Sequence, residues 1–326
     1  MAELKIEGRL VSYFECGSGV PVVLLHAGAG SGKQWLKTAR LLEARFQVIA
    51  PDLWGFGGTE KWSGEHELTH DDQALLVVGV IEHLCKEPVH IVGHSYGGAT
   101  AVRVILQKRE LVRTAVLIEP ILTPLLALAG EENHFREYFD MAQGFLGNVA
   151  AGKLDEGWRG FLDYRNGPGT WEALSEAPRE RFREATESTV AAFRSNLNNP
   201  TSIKDLEQLS LPTLVMCGEK TTVPDRRLTE ILRDYIPQCR YEIIPGAEHM
   251  SPLSHPAFIA ETCMMDVELY RECNLRVHWL KSISRWIKEA LRWEAKLSFL
   301  VTTTCLPDSM WTRKVSRSPL PIIRDC

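Results

Sequence analysis

Ser95 sits between glycines at two-residue spacing, in Gly93-His94-Ser95-Tyr96-Gly97-Gly98. An apolar, β-branched run (Val89, Ile91, Val92) leads into it, and a helix-forming stretch, Ala99 to Leu106, leads out. That order describes a strand, a tight turn and a helix, with the serine at the apex. A serine on so sharp a turn carries backbone strain, and small residues must flank it where neighbouring chains crowd in. Its hydroxyl then stands free at the sheet's edge. The helix that follows points unpaired N–H groups at whatever negative charge forms there. This arrangement suits nucleophilic attack on an acyl carbon, followed by deacylation with activated water. The serine needs a base, and a histidine of near-neutral pKa can take and return its proton. His249, in the loop Pro245-Gly246-Ala247-Glu248-His249-Met250, is placed to do this, whereas His66, His70, His83, His134 and His278 have no comparable setting.

Gly-x-Ser-x-Gly between a β-type run and a helix resembles the nucleophile elbow of the α/β-hydrolase superfamily, in its serine-nucleophile branch with a helical lid. The likeness extends over roughly residues 4 to 260. It implies the chain order serine, acid, histidine, with Ser95 as nucleophile and His249 as base. In most relatives the acid is an aspartate just after the strand that falls here at 213–217. This loop reads Gly218-Glu219-Lys220-Thr221-Thr222-Val223-Pro224, so Thr221 holds that position. A hydroxyl cannot stabilise an imidazolium as a carboxylate can. Glu119 ends the strand after the elbow helix, in Ile118-Glu119-Pro120-Ile121-Leu122-Thr123-Pro124. That run resembles the one in which haloalkane dehalogenases carry their glutamate acid. The resemblance therefore assigns the third role to Glu119, with Asp225 and Glu219 as the alternative acids. The bland alternative for Glu119 is a strand-end carboxylate paired with an arginine of the lid.

By the same resemblance, the oxyanion hole takes one N–H from Tyr96 and one from Gly28, two residues past His26, although Ala27 replaces the usual glycine. Asp52 and the cluster Gly55, Gly57 and Gly58 read as structural. Trp54, Phe135 and Tyr138 are expected to line the substrate pocket. Haloalkane dehalogenases and epoxide hydrolases attack with an aspartate, and dehalogenases place a halide-binding tryptophan where Tyr96 stands, so both activities are disfavoured. Gly30-Ser31-Gly32-Lys33 fails the phosphate-loop pattern at Gln34. The leading expectation is hydrolysis of an ester, lactone or thioester of a small, largely apolar substrate. C–C bond cleavage or perhydrolysis on the same triad is the alternative among enzymes. A slow-turnover ligand receptor is the alternative outside them. Neither a metal nor an organic cofactor is implied.

The elements that must position these residues alternate along the chain. Leu4 to Glu15 reads as a hairpin about Gly8, and the continuous apolar run Val20 to Leu25 reads as a strand buried on both faces. A helix from about Lys33 to Ala44, a strand at 46–50 and a helix at 71–85 lead to the serine strand. Another strand ends at Glu119, and strands at 213–217 and 241–244 follow. Such alternation predicts an α/β fold, a mostly parallel sheet flanked by helices. Residues 121–206 lack a strand and spread aromatics over helical spacings, so they are expected to form an inserted helical lid. The hydrolase core then comprises 1–120 and 207–261.

Residues 262–326 change character, with eleven Lys/Arg against seven Asp/Glu and four of the nine tryptophans. Leu280, Ile283, Ile287 and Leu291 fit one face of a basic amphipathic helix. The whole chain has 326 residues and a net charge of −5, which gives no reason to expect nucleic acid. No apolar run reaches the roughly 18 residues of a membrane span. The start lacks a secretion signal, and the eight cysteines lack metal or disulfide spacing. A cytoplasmic enzyme acting on a small molecule is the expectation.

Overall fold

The computed structural model describes residues 1–265, 267 and 268. β1 (Ala2–Ile6) and β2 (Arg9–Cys16) form the expected hairpin, turning at Glu7 and Gly8, both at positive φ. β3 (Val20–Leu25) is apolar throughout and buried along nearly its whole length. Gly32–Trp35 forms a 3₁₀ turn before α1 (Leu36–Leu42), so the helix expected from Lys33 opens more tightly than an α-helix. β4 (Phe46–Pro51) follows, and then α2 (His70–Leu84). At the start of α2 the Thr69 side chain accepts from the Asp72 N–H while Asp72 reaches back to the Thr69 N–H. β5 (Val89–His94), α3 (Tyr96–Gln107) and β6 (Val112–Ile118) form the strand–helix–strand unit around the elbow.

Seven helices then intervene before the sheet resumes: α4 (Pro124–Leu128), α5 (Glu132–Ala150), α6 (Leu154–Asn166), α7 (Thr170–Ala173), α8 (Glu176–Glu184), α9 (Thr186–Leu197) and α10 (Ile203–Glu207). Many of the aromatics that looked scattered in sequence converge here. Tyr138, Phe145, Trp158, Trp171 and Phe193 are buried with Ile121, Ala142 and Leu162 as a separate apolar cluster. Phe145 meets Trp158 edge-on at 5.1 Å, and the Trp158 indole donates to Thr186 Oγ1 at 2.9 Å. β7 (Thr213–Gly218), α11 (Val223–Tyr235), β8 (Cys239–Ile244) and α12 (Ser251–Ser254) complete the pattern. A further helix occupies 256–265 and includes 267 and 268, burying Cys263 and Val267. The change of character expected at 262 thus falls inside this helix, and the amphipathic face expected around 280–291 lies outside the described residues.

The eight strands form one sheet in the order β1-β2-β4-β3-β5-β6-β7-β8. It is antiparallel only across β1/β2 and β2/β4. Each face buries its own core. One cluster joins Val23, Leu25, Ile91 and Val215 to residues of α2, α3 and α11, and the other joins Leu24, Val92 and Met216 to Trp35, Leu42 and Ile259. The alternation of side chains along each parallel strand divides them between these two cores. The C-terminal ends of β5, β6, β7 and β8 lie along one sheet edge, and the candidate residues follow those ends directly. Among the described residues no helix is long and apolar enough to cross a membrane.

Candidate active site

Three glycines make the turn at Ser95 possible. A Cβ on Gly93 would lie 2.5 Å from the Gly97 carbonyl oxygen, one on Gly97 2.5 Å from that of Leu25, and one on Gly98 2.8 Å from Pro120 Cβ. β5 and α3 therefore approach more closely than any side chain permits. Ser95 itself takes φ 56° and ψ −117°, a conformation that costs on the order of 1–3 kcal/mol. Hydrogen bonds to β6 and the segment after it hold it there: the Ser95 N–H donates to Ile118 O at 2.9 Å, and the Ile121 N–H donates to Ser95 O at 3.2 Å.

Those same bonds place Glu119 beside the elbow. Glu119 also has positive φ, 43°, an uncommon state for a residue with a side chain, and its carboxylate is buried. Oε1 accepts from the Gly218 N–H at 2.7 Å, and Oε2 accepts from Thr221 Oγ1 at 2.8 Å. Gly218 is required by this contact, since a Cβ there would sit 3.0 Å from Glu119 Oε1 and 2.7 Å from Ala247 O. His249 Nδ1 donates to Glu119 Oε2 at 2.6 Å, and His249 Nε2 lies 3.0 Å from Ser95 Oγ. The sequence-predicted serine, histidine and glutamate thus meet in one buried chain of hydrogen bonds.

The two alternative acids stand elsewhere. Glu219 is exposed and accepts from the Gly246 N–H at 2.7 Å, which pins the base of the histidine loop. Asp225 is buried on α11, with Oδ2 3.8 Å from His249 Nδ1, too far for a hydrogen bond. It pairs instead with Arg165 of α6. A partnership between a carboxylate and an arginine of the insertion does occur, then, but at Asp225 and not at Glu119. Burial pushes the Asp225 carboxyl up, and the Arg165 guanidinium and His249 outweigh that and hold it below its ordinary range. Ligand atoms of Glu119, Asp225 and His249 all lie within 4.8 Å of one another, close enough for a cation. Arg165 already supplies a positive charge to Asp225, so the donor set suits proton transfer better than metal binding.

His94, within the elbow motif, carries no sequence signal of its own role beyond its place beside the serine. Its Nε2 donates to the His249 carbonyl at 2.8 Å, and its Nδ1 accepts from Gln34 Nε2 at 3.2 Å. Burial first, and then the adjacent His249, hold its pKa well below the usual imidazole value, so it is a neutral strut beneath the histidine loop. Arg165 was missed too, because nothing in its local sequence separates it from the other arginines of the insertion.

Gly28 packs on Tyr96: a Cβ at this position would lie 3.7 Å from Tyr96 Cβ and 4.0 Å from Ala192 Cβ of α9. Tyr96 opens α3, where the first N–H groups lack helical partners. Asp52 accepts from Gly32 N–H at 2.7 Å and Gly58 N–H at 2.8 Å, and its carboxylate fills the space a side chain on Gly57 would need. These contacts tie the loop's backbone together. Trp54 is buried and borders a cleft of about 220 Å³, together with Trp62, Ser188 and Ala191. Phe135 lines a second cleft, of about 600 Å³, along α5 and α9. Tyr138 lines neither; it lies inside the insertion's cluster, under the Arg165 guanidinium at 5.3 Å. Neither cleft has Ser95 in its wall.

A family model described as alpha/beta hydrolase fold matches residues 20–256. The chain belongs to that family. Within the alpha/beta hydrolase fold family it is similar to 2-hydroxymuconate semialdehyde hydrolase of Pseudomonas sp. (strain CF600). The two are 27% identical over 275 residues, which cover 79% of this chain and 90% of that protein. A stretch of 129 residues is 34% identical to soluble epoxide hydrolase of Corynebacterium sp. (strain C12), covering 39% of this chain and 43% of that protein. The backbone resembles the crystal structure of bromoperoxidase from Bacillus anthracis, with a TM-score of 0.65 and 23% identity over 82% of this chain and 99% of that one. An α/β-hydrolase core accounts for the eight-stranded sheet and for the elbow at the end of β5.

Proposed function

We propose that this protein is a serine hydrolase that cleaves an acyl bond, with an ester, lactone or thioester as its substrate. Ser95 Oγ attacks the carbonyl carbon while His249 Nε2 takes its proton. Glu119 holds the Nδ1–H tautomer and stabilises the imidazolium that forms. The backbone N–H groups of Gly28 and Tyr96 receive the developing oxyanion. His249 then returns the proton to the leaving group and activates the water that frees the enzyme. The helices of residues 121–206 act as the lid, with Ala192 closing over Gly28. The observation that carries this reading is the unbroken run from Ser95 through His249 to Glu119 at 3.0 and 2.6 Å.

Hydrolysis of a C–C bond next to a carbonyl is the second reading. It is favoured by the likeness to 2-hydroxymuconate semialdehyde hydrolase, which spans most of both chains. The same three residues and the same oxyanion donors serve either reaction.

Steady-state turnover of short- and medium-chain aryl esters, and of a 2-hydroxy-6-oxo-dienoate, tests both readings beside Ser95→Ala. The expected result is multiple turnover of one class that falls by on the order of 10⁴-fold or more in the variant. Preference for the dienoate would select C–C cleavage. A single burst without turnover would favour a ligand receptor, and equal rates in wild type and variant would overturn the mechanism.

A further inference from the structure

One charged side chain of the insertion reaches the catalytic histidine's surroundings. Arg165 leaves α6 and is buried, its side chain 3% exposed, and Asp225 on α11 is fully enclosed. The guanidinium pairs with Asp225 Oδ2, and Thr222 Oγ1 donates to that oxygen at 2.8 Å. The rings of Tyr138, Tyr164 and Phe161 surround the cation at 5.3, 5.8 and 5.9 Å. The pairing is end-on. Asp225 Oδ1 and Arg165 Nε, both buried, have no hydrogen-bond partner, so the two-bond fork that guanidinium and carboxylate usually form is not made. The contact is concentrated on Oδ2, the oxygen that faces His249 Nδ1 at 3.8 Å.

His249 Nδ1 therefore confronts two buried carboxylates, Glu119 at 2.6 Å and Asp225 at 3.8 Å. From β5 it meets His94, with ring centroids 5.0 Å apart, and behind that His26, both held neutral by burial. Ser95 is uncharged, and Glu248, next along its own loop, is exposed. Among the described residues, Arg165 supplies the one positive charge in this group. With it in place, a single net negative charge faces the imidazole, which is what an imidazolium formed in the reaction needs. Without it, two uncompensated negative charges would face the imidazole, and Asp225 would be free to compete for Nδ1–H and turn the ring away from Ser95.

We propose that Arg165 is a positioning residue: by holding Asp225 it leaves Glu119 as the sole carboxylate that orients His249. This inference rests on the serine-hydrolase reading. Its primary measurement, the titration of His249, needs no substrate.

The test is the titration of His249 in ¹⁵N-histidine-labelled protein, with the signal assigned by its loss in His249→Gln. The pH dependence of Ser95 labelling by a fluorophosphonate is followed in parallel. In Arg165→Gln the His249 midpoint should rise by about one pH unit or more, because an uncompensated carboxylate favours the charged form. The acid limb of Ser95 labelling should move up with it. Asp225→Asn, which keeps the cation and removes the carboxylate, should move both the other way. Arg165→Gln combined with Asp225→Asn should return the midpoint close to wild type, and Arg165→Lys should leave it near wild type. A merely structural pair would lower the unfolding midpoint without moving the titration. Unmoved His249 midpoints in folded Arg165→Gln and Asp225→Asn, with Ser95-dependent turnover intact, would overturn this inference alone. Failure of every acyl substrate would instead count against the serine-hydrolase reading.

Discussion

Two residues with side chains, Ser95 and Glu119, adopt positive φ within hydrogen-bond reach of one histidine loop. Backbone strain of this kind persists only where surrounding contacts over-determine it, and here each strained residue presents one partner to His249. Glu119→Gln should lower kcat by about 10³–10⁴-fold, because the amide cannot stabilise an imidazolium and favours the wrong tautomer. Asp225→Asn should cost much less in kcat while lowering unfolding stability by about 3–5 kcal/mol, since it leaves the Arg165 cation buried and unpaired. Matched turnover and urea-unfolding measurements separate the two, and the reverse pattern would move the acid role to Asp225. Glu119 was legible in the sequence because Thr221 left the usual acid position without a carboxylate. In the structure that threonine donates to the Glu119 carboxylate at 2.8 Å. Arg165 was not legible. It is one arginine among Arg159, Arg179, Arg181 and Arg183 on neighbouring helical stretches, and only the reach of its side chain from α6 to Asp225 on α11 selects it.

The elbow works as an element because two backbones touch where side chains would otherwise stand. Gly97→Ala would place a methyl 2.5 Å from Leu25 O and 2.6 Å from His26 O, both backbone atoms of β3 and the loop after it that cannot yield cheaply. Its expected cost is about 2–3 kcal/mol, together with loss of Ser95 reactivity, because relief of the clash displaces α3. Gly144, exposed in the middle of α5, has nothing within 4 Å of its added Cβ. Gly144→Ala should therefore stabilise by about 0.5–1 kcal/mol through helix propensity alone. Urea-unfolding midpoints of the two variants should move in opposite directions, and a destabilised Gly144→Ala would contradict the open space seen there. The same contrast explains what could be read along the chain. Strands β3 to β7 announce themselves because burial on both faces forces largely apolar runs, interrupted only at positions such as Gln47, His90 and Arg113-Thr114. Helix α8 buries no residue, so it carries no apolar stripe from which its limits follow. The Gly32–Trp35 turn is set by the Asp52 carboxylate bonding Gly32 N–H, a partner twenty residues away that no local pattern encodes.

Across the described residues, the helices between β6 and β7 are joined to the rest of the fold by contacts of unequal weight. Lys61–Glu187 and Arg194–Glu67 are exposed ion pairs, and contributions of about 0–1 kcal/mol are typical for such pairs. The more enclosed joints matter more: Ser188 Oγ donates to Gly55 O at 2.6 Å in a partly buried contact, while Arg165 meets Asp225 and His70 Nε2 bonds Asn196 Oδ1 at 2.9 Å in buried ones. The buried histidine of the last pair makes stability depend on pH. Burial pushes the His70 imidazole down to about 4, and burial with the nearby Arg113 does the same to His90. An unfolded histidine takes its proton near 6.5, so between pH 6.5 and 4 the unfolded chain binds more protons than the folded one. Stability is then complete above about pH 6.5 and falls as the pH drops toward 4, by about 2 kcal/mol for each of these histidines between pH 7 and 5. Asp225 adds to the loss only at lower pH, because its depressed carboxyl contributes stability that is present above the ordinary carboxylate pKa and disappears below it. Urea unfolding at pH 7.5 and pH 5 should therefore differ by at least about 3 kcal/mol, with the lower value in acid. His70→Gln keeps a side-chain amide to meet Asn196 and removes one titration, so its loss between the two pH values should be smaller by about 2 kcal/mol. A wild-type stability that stayed level from pH 7.5 to 5 would mean that these imidazoles are charged where they stand.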